Sequence, residues 1–134
     1  MGAAGIHHLG VAVTDLDAAV ETYVRLFGAE LEHREVVPEQ GVEAALMRIG
    51  EDRVELLASL DADTPVGKFI ERRGPGMHHV AFLVDDVGEE LARLSASGTE
   101  LIDESPRTGA FGLDIAFIHP HATDGVLAEL VGRG

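Results

Sequence analysis

The chain has 134 residues, the size of one domain, and its formal net charge of −14 opposes binding to nucleic acid or to anionic membranes. It contains no cysteine or tryptophan and only one tyrosine, which excludes disulfides, thiolate metal ligands and an aromatic platform for stacked bases. No apolar run approaches 18 residues and no signal-like segment opens the chain, so we expect a cytoplasmic protein without membrane association.

The first half of the chain predicts one strand, one helix and three further strands. The opening strand is apolar and rich in β-formers, Thr14-Asp15 is a helix start, and Gly28 ends the helix. The predicted elements are a strand over 6–13, a helix over 15–27 and strands over 30–37, 42–49 and 53–59.

A short linker helix is predicted between the halves, within about residues 61–76. Thr64-Pro65 is a good helix entry, and Gly74-Pro75-Gly76 ends the segment. The second half then repeats the first: a strand over 77–84, a helix from Asp85-Asp86 to Gly98, and strands over about 100–103, 113–119 and 126–131.

The two halves share a sequence pattern as well as an element order. Residues 6–13 (IHHLGVAV) return as residues 77–84 (MHHVAFLV), and each half ends in an apolar run that holds one glutamate, Glu55 or Glu129. We therefore predict an α+β fold of two tandem βαβββ modules, about 5–60 and 77–132, within a single domain over 1–134. Half-size units would be marginal alone, so the two modules should pack into one body. We also expect a homodimer of the whole chain.

Strand alternation indicates which histidine of each pair faces a ligand. His8 shares its face with Gly10 and Ala12, which leave space, whereas His7 goes with the bulky residues that should pack under a helix. The same phase in the second copy selects His79 over His78. A lone strand histidine is more often structural, but repetition in the same register favours metal ligation.

Glu55 and Glu129 interrupt otherwise apolar strands, where a carboxylate is costly unless a cation or hydrogen-bond donors receive it. Two imidazoles and two carboxylates suit an open divalent metal site rather than a closed structural one. The ligand set suits a divalent ion of the Co²⁺, Mn²⁺, Fe²⁺, Ni²⁺ or Zn²⁺ group. Such a site favours Lewis-acid chemistry on a chelating oxygen ligand.

Glu43 is the third carboxylate of interest. It follows the turn of residues 38–41 (PEQG) and shares a strand face with Ala45 and Met47. Alternation alone leaves two interpretations open, a solvent-facing side chain or one that faces the metal and acts as a base.

The motifs resemble those of the methylmalonyl-CoA epimerase family within the vicinal oxygen chelate superfamily. The resemblance covers residues 6–131 and rests on five segments, 6–12 (IHHLGVA), 38–43 (PEQGVE), 76–82 (GMHHVAF), 117–120 (FIHP) and 125–130 (GVLAEL). It implies two modules that form a curled, cup-shaped mixed sheet around a central metal. It also implies an acyl-CoA substrate.

The resemblance further implies roles for particular residues. His8, His79 and Glu129 would bind the metal, with Glu55 at a position where the family carries glutamine or glutamate. Glu43 and Glu129 would flank the substrate α-carbon, one removing the C2 proton and the other returning it on the opposite face. The expected reaction interconverts (2R)- and (2S)-methylmalonyl-CoA, a step of propionate metabolism.

Two alternatives remain open. Metal-binding glyoxalase I enzymes also use two histidines and two glutamates, although they typically show Asp-Pro where this chain has His119-Pro120. A non-catalytic small-molecule binder of the same superfamily would need neither a full metal set nor an extra inward carboxylate.

Overall fold

The computed structural model describes residues 2–132, which form an α+β fold divided into two compact units. The first unit spans His8–His78, and the second combines the residues from His79 onward with the segment up to His7. A single domain over 1–134 stays a prediction. None of the helices in the described part of the chain is both long enough and apolar enough to cross a membrane.

The first unit contains two helices and a four-stranded sheet in the order β2-β3-β4-β1. Strand β1 runs parallel to β4, and the other two pairings are antiparallel. The elements are β1 (Gly5–Val13, entering this unit at His8), α1 (Leu16–Phe27), β2 (Glu30–Val37), β3 (Val42–Ile49), β4 (Asp52–Ser59) and α2 (Pro65–Arg73).

The second unit repeats this arrangement with the order β5-β8-β7-β6, in which β5 and β8 are parallel. Its elements are β5 (Gly76–Val84, which enters this unit at His79), α3 (Val87–Ala96), β6 (Arg107–Thr108), β7 (Asp114–Ile118) and β8 (Ala128–Gly132). The βαβββ order predicted for each half is therefore confirmed.

Helix limits follow from caps that the sequence supplies. The Asp15 carboxylate accepts a hydrogen bond from the Ala18 N–H at 3.0 Å, and Gly28 ends α1 with a φ of 65°, a left-handed conformation that favours glycine. Asp86 caps α3 in the same way. The Thr64 hydroxyl caps α2 by accepting from the Gly67 N–H at 2.9 Å.

Each unit buries one face of its sheet beneath a helix. In the first, α1 packs on a cluster that includes Ala45, Met47 and Leu56. In the second, α3 packs through Leu91 on a cluster that includes Leu130. The opposite face of each sheet is therefore the one available to hold a ligand.

The predicted strand over 100–103 is wrong. Leu101 makes one isolated bridge to Ile118, while the N–H groups of Ile102 and Asp103 both donate to the carbonyl of Phe117. Two donors on one acceptor do not continue a ladder. The first strand after α3 is instead the two-residue β6, at the edge of the sheet.

Candidate metal and active site

A buried histidine–glutamate pair lies on the open face of the first unit. Gly10 lies opposite Glu55 in the parallel β1–β4 pair, so His8, two residues before Gly10, lies on the same face as Glu55. Only 4% of His8 and 5% of Glu55 is exposed. His8 Nε2 is 3.5 Å from Glu55 Oε1.

The second unit holds an equivalent pair in the same register. Ala81 lies opposite Glu129 in the parallel β5–β8 pair, and His79 is again two residues earlier. The exposed fractions are 4% for His79 and 5% for Glu129. His79 Nε2 is 3.2 Å from Glu129 Oε1. Parallel pairing thus produces the same His–Glu arrangement twice.

The strand phase predicted for the histidine pairs is confirmed by burial. His8 and His79 are buried, whereas His7 and His78 are only half-buried. His78 meets the Phe69 ring edge-on, with ring centroids 4.9 Å apart. His78 therefore has a packing partner on α2.

The donor set of each pair fits a divalent metal. Two ligand atoms about 2.1 Å from one ion, in neighbouring octahedral positions, lie about 3 Å apart. The separations within the two pairs, 3.5 Å and 3.2 Å, are close to that value. Imidazole nitrogen with carboxylate oxygen suits ions of the Co²⁺, Mn²⁺ and Zn²⁺ type, and a buried carboxylate is favoured when a cation receives it. Metal ligation by these four residues stays a prediction.

Glu43 lies on the other face of the first unit's sheet. Leu46 lies opposite Glu55 in the β3–β4 pair, and Glu43 is three residues before Leu46, so its side chain points away from the Glu55 face. Ala45 and Met47, which share the Glu43 face, are packed beneath α1. To act as a base, Glu43 would have to lie beside the proposed metal ligands. In this unit it lies on the face opposite Glu55.

An ion-pair network holds Glu43 in that position. Arg34 Nε donates to Glu43 Oε2 at 2.9 Å, and Arg34 Nη1 lies 2.7 Å from Asp17 Oδ1 at the start of α1. Hydrogen bonds to Glu43 and Asp17 raise the pKa of the Arg34 guanidinium above its usual value, and the bond to Glu43 has the larger effect. The network connects β3, β2 and α1, so we assign Glu43 a structural role.

Aromatic and charged side chains extend the ligand face of the second unit. Phe117 lies opposite Glu129 in the β7–β8 pair, and its ring meets the His79 ring edge-on with centroids 5.8 Å apart. The Arg107 guanidinium carbon lies 5.8 Å from the centre of the Phe117 ring, and Arg107 Nε is 3.1 Å from Asp103 Oδ1. The sequence contains no recognisable CoA-phosphate motif and offers Arg107 only as a candidate cation beside Arg72 and Arg73. No pattern indicates Asp103, and Phe117 belongs only to the segment 117–120 (FIHP).

A second histidine–carboxylate group in this unit is largely exposed and comprises Glu100, His119 and His121. It borders an open cavity of about 350 Å³. His119 Nδ1 accepts a hydrogen bond from the His121 N–H at 3.1 Å, so a neutral His119 carries its proton on Nε2, the nitrogen that faces Glu100. A metal at His119 Nε2 would move the ring proton to Nδ1, and Nδ1 could then no longer accept the hydrogen bond from the His121 N–H. We therefore explain the group as ion pairs around a short helical turn.

Comparison with known proteins identifies the family. Residues 7–117 match the family described as the Glyoxalase/Bleomycin resistance protein/Dioxygenase superfamily. The chain belongs to this superfamily. It is 34% identical over 126 residues to the mitochondrial methylmalonyl-CoA epimerase of Bos taurus, a match covering 93% of this chain and 72% of that one.

Solved structures of this superfamily are closely similar to the chain. The methylmalonyl-CoA epimerase of Mycobacterium tuberculosis superposes with a TM-score of 0.95 at 37% identity, covering 98% of this chain and 89% of that one. A variant of the Streptomyces coelicolor epimerase in complex with 2-nitronate-propionyl-CoA gives a TM-score of 0.95 at 38% identity, covering 98% and 95%. The predicted resemblance and the vicinal oxygen chelate fold are confirmed.

Proposed function

We propose that the chain is a methylmalonyl-CoA epimerase, which interconverts the (2R) and (2S) forms of methylmalonyl-CoA by moving the C2 proton. The observation that carries this function is the pair of buried His–Glu sets in identical register, His8 with Glu55 and His79 with Glu129, in a chain so similar to known epimerases. The same similarity favours an epimerase over a glyoxalase I-type isomerase.

We infer that His8, Glu55, His79 and Glu129 together bind one divalent ion. Support comes from the repeat in the sequence, from the equal burial and register of the two pairs, and from the superfamily. When bound, such an ion acts as a Lewis acid that favours loss of a proton next to a chelating thioester. Co²⁺ is the proposed ion, with Mn²⁺, Ni²⁺, Zn²⁺ and Fe²⁺ as alternatives.

Proton transfer at C2 needs a carboxylate on each side of the reacting carbon. Glu129 is proposed for one side, because it is buried and because a carboxylate that binds a metal through one oxygen keeps a second oxygen for the proton. Glu43 was predicted for the other side. Because Glu43 faces α1, Glu55, the repeat-related buried carboxylate, is the better-placed candidate in the first unit.

The burial of these groups also prepares them for the reaction. Glu55 and Glu129 are each only 5% exposed, so little bulk water reaches either carboxylate. A water-poor environment strengthens electrostatic interactions with the charge that develops on the substrate.

The test is incubation of metal-loaded protein with (2S)-methylmalonyl-CoA in deuterated water. We expect inversion with uptake of one deuterium at C2, and no turnover of the methylglyoxal–glutathione hemithioacetal. Hemithioacetal turnover without epimerisation would establish the glyoxalase I alternative. Binding of methylmalonyl-CoA with neither reaction would instead establish a non-catalytic binder.

The homodimer, the cytoplasmic location and the place in propionate metabolism are further proposals. The first can be measured by sedimentation equilibrium of the purified chain. The other two need localisation of the tagged protein and growth of a deletion strain on propionate.

A further inference from the structure

Arg107 lies on the same sheet face as the His79–Glu129 pair. It lies opposite Ile115 in the β6–β7 pair, and Ile115 lies opposite Val131 in the β7–β8 pair. Glu129 is two residues before Val131, so alternation places Glu129, Ile115 and Arg107 on one face. Arg107 is thus a cation on the face that carries the proposed metal ligands of the second unit.

The Arg107 side chain is held from two sides. Asp103 Oδ1 lies 3.1 Å from Arg107 Nε, and Asp103 Oδ2 accepts a hydrogen bond from the Phe117 N–H at 2.9 Å, which fixes the carboxylate. The guanidinium lies over the Phe117 ring, whose edge-on partner is His79. A guanidinium has five N–H donors in a planar fork, and a single carboxylate can use only part of them.

A cation at this place has an electrostatic purpose. The chain carries a net charge of −14, and the acyl-CoA substrate is itself an anion, so a local positive group is needed to favour binding. The Arg107 side chain is 41% exposed, which leaves it accessible to a ligand, whereas the side chain of Asp103 is only 14% exposed.

We propose that Arg107 binds an oxyanion of the acyl-CoA substrate, with Asp103 and Phe117 holding the guanidinium in place. The inference rests on the proposed epimerase function and adds a specificity-determining residue to it. The oxyanion is either the free carboxylate of the methylmalonyl group or a phosphate of CoA, and both offer the planar fork two acceptor oxygens.

The experiment compares R107Q and R107K with wild type and with R25Q in metal-loaded protein. Arg25 is exposed in the last turn of α1, and R25Q therefore removes the same charge from a helix that is not part of the β6–β8 sheet. For each protein we would measure KM and kcat, and by calorimetry the Kd of an equilibrated mixture of methylmalonyl-CoA epimers. The Kd of propionyl-CoA, which lacks the free carboxylate, is the comparison.

R107Q should raise KM and the Kd of methylmalonyl-CoA by about 10- to 100-fold, the worth of a charge-assisted hydrogen bond, with kcat nearly unchanged. R107K should show a smaller rise, because an ammonium group keeps the charge but not the fork. An unchanged Kd of propionyl-CoA in R107Q identifies the acyl carboxylate. An equal rise for both ligands identifies a phosphate.

Wild-type affinity in both Arg107 variants, or an equal loss in R25Q, would overturn the inference. If R107Q does not fold, R107K alone decides, since wild-type KM and Kd in that variant would also overturn it. A wild-type protein that binds methylmalonyl-CoA without epimerising it would contradict the proposed function and leave the Arg107 comparison measurable through Kd.

Discussion

Replacement of Glu129 and of Glu43 by glutamine should affect turnover very differently. Both substitutions are nearly isosteric and remove one negative charge. Glu129 is buried with its carboxylate 3.2 Å from His79, whereas Glu43 faces α1 and bonds to Arg34. A positioned acid or base is worth about 10² to 10⁴ in rate, so E129Q should lose that factor while E43Q should stay within about threefold of wild type.

The assay follows kcat/KM for (2S)-methylmalonyl-CoA in deuterated water, together with the metal content and unfolding midpoint of each variant. E43Q should show a slightly lower midpoint, since the Arg34 ion pair to β3 is lost. E129Q should also weaken metal binding, and its rate is therefore compared at saturating Co²⁺. A loss of 100-fold or more in E43Q, with metal content and midpoint unchanged, would refute the assignment of Glu43 to a structural network.

Three other results are expected. Chelation should abolish epimerisation and Co²⁺ should restore it, so full activity in metal-depleted protein would contradict the metal site. H8A should lower the metal content, whereas H7A should mainly affect packing. Equal loss of metal in the two variants would show that burial of a histidine in β1 does not identify the metal ligand. Glu90 accepts hydrogen bonds from Arg93, which lower its pKa. E90Q should therefore reduce stability above pH 5, and the difference from wild type, measured by chemical unfolding, should vanish as the pH falls through the lowered pKa of Glu90.

The repeat and its strand phase could be predicted because they depend on local pattern. Small residues after His8, namely Gly10 and Ala12, distinguish one face of β1 from the helix-packing face. After His79 only Ala81 is small and Leu83 is bulky, so the phase of β5 is predicted from the repeat. Alternation with a period of two then fixes the burial of each histidine, as the structure confirms. The capping residues Asp15 and Asp86 similarly determine where the helices start.

The face of Glu43 could not be fixed from the sequence because its strand has no polar–apolar contrast. Both faces of β3 are apolar, since one packs under α1 and the other contributes Leu46 beside Glu55. The β3–β4 register turns Glu43 away from Glu55, and an ion pair with Arg34, nine residues earlier on the neighbouring strand β2, holds it there. A pairing of this kind depends on the β2–β3 register, and that register contains an irregularity between Leu31 and His33.

The irregular segment before β6 was mispredicted for a related reason. Leu101 and Ile102 have strand-like side chains, but Pro106 lacks a backbone N–H and Asp103 uses its carboxylate to bond the Phe117 N–H. A side chain therefore replaces a ladder bond here. The hydrogen bond from the Phe117 N–H also holds the Asp103 carboxylate beside Arg107. Asp103 therefore both interrupts the strand and fixes the Arg107 guanidinium.

The division of the proposed ligands between two repeats has a consequence for metal binding. One imidazole and one carboxylate supply two donors, fewer than the three or four protein ligands that usually hold a catalytic divalent ion. Neither His8 with Glu55 nor His79 with Glu129 should therefore bind such an ion tightly alone. Under the proposed function, metal affinity depends on both repeats being folded, and the bound ion stabilises the folded chain by an amount that grows with its concentration above Kd.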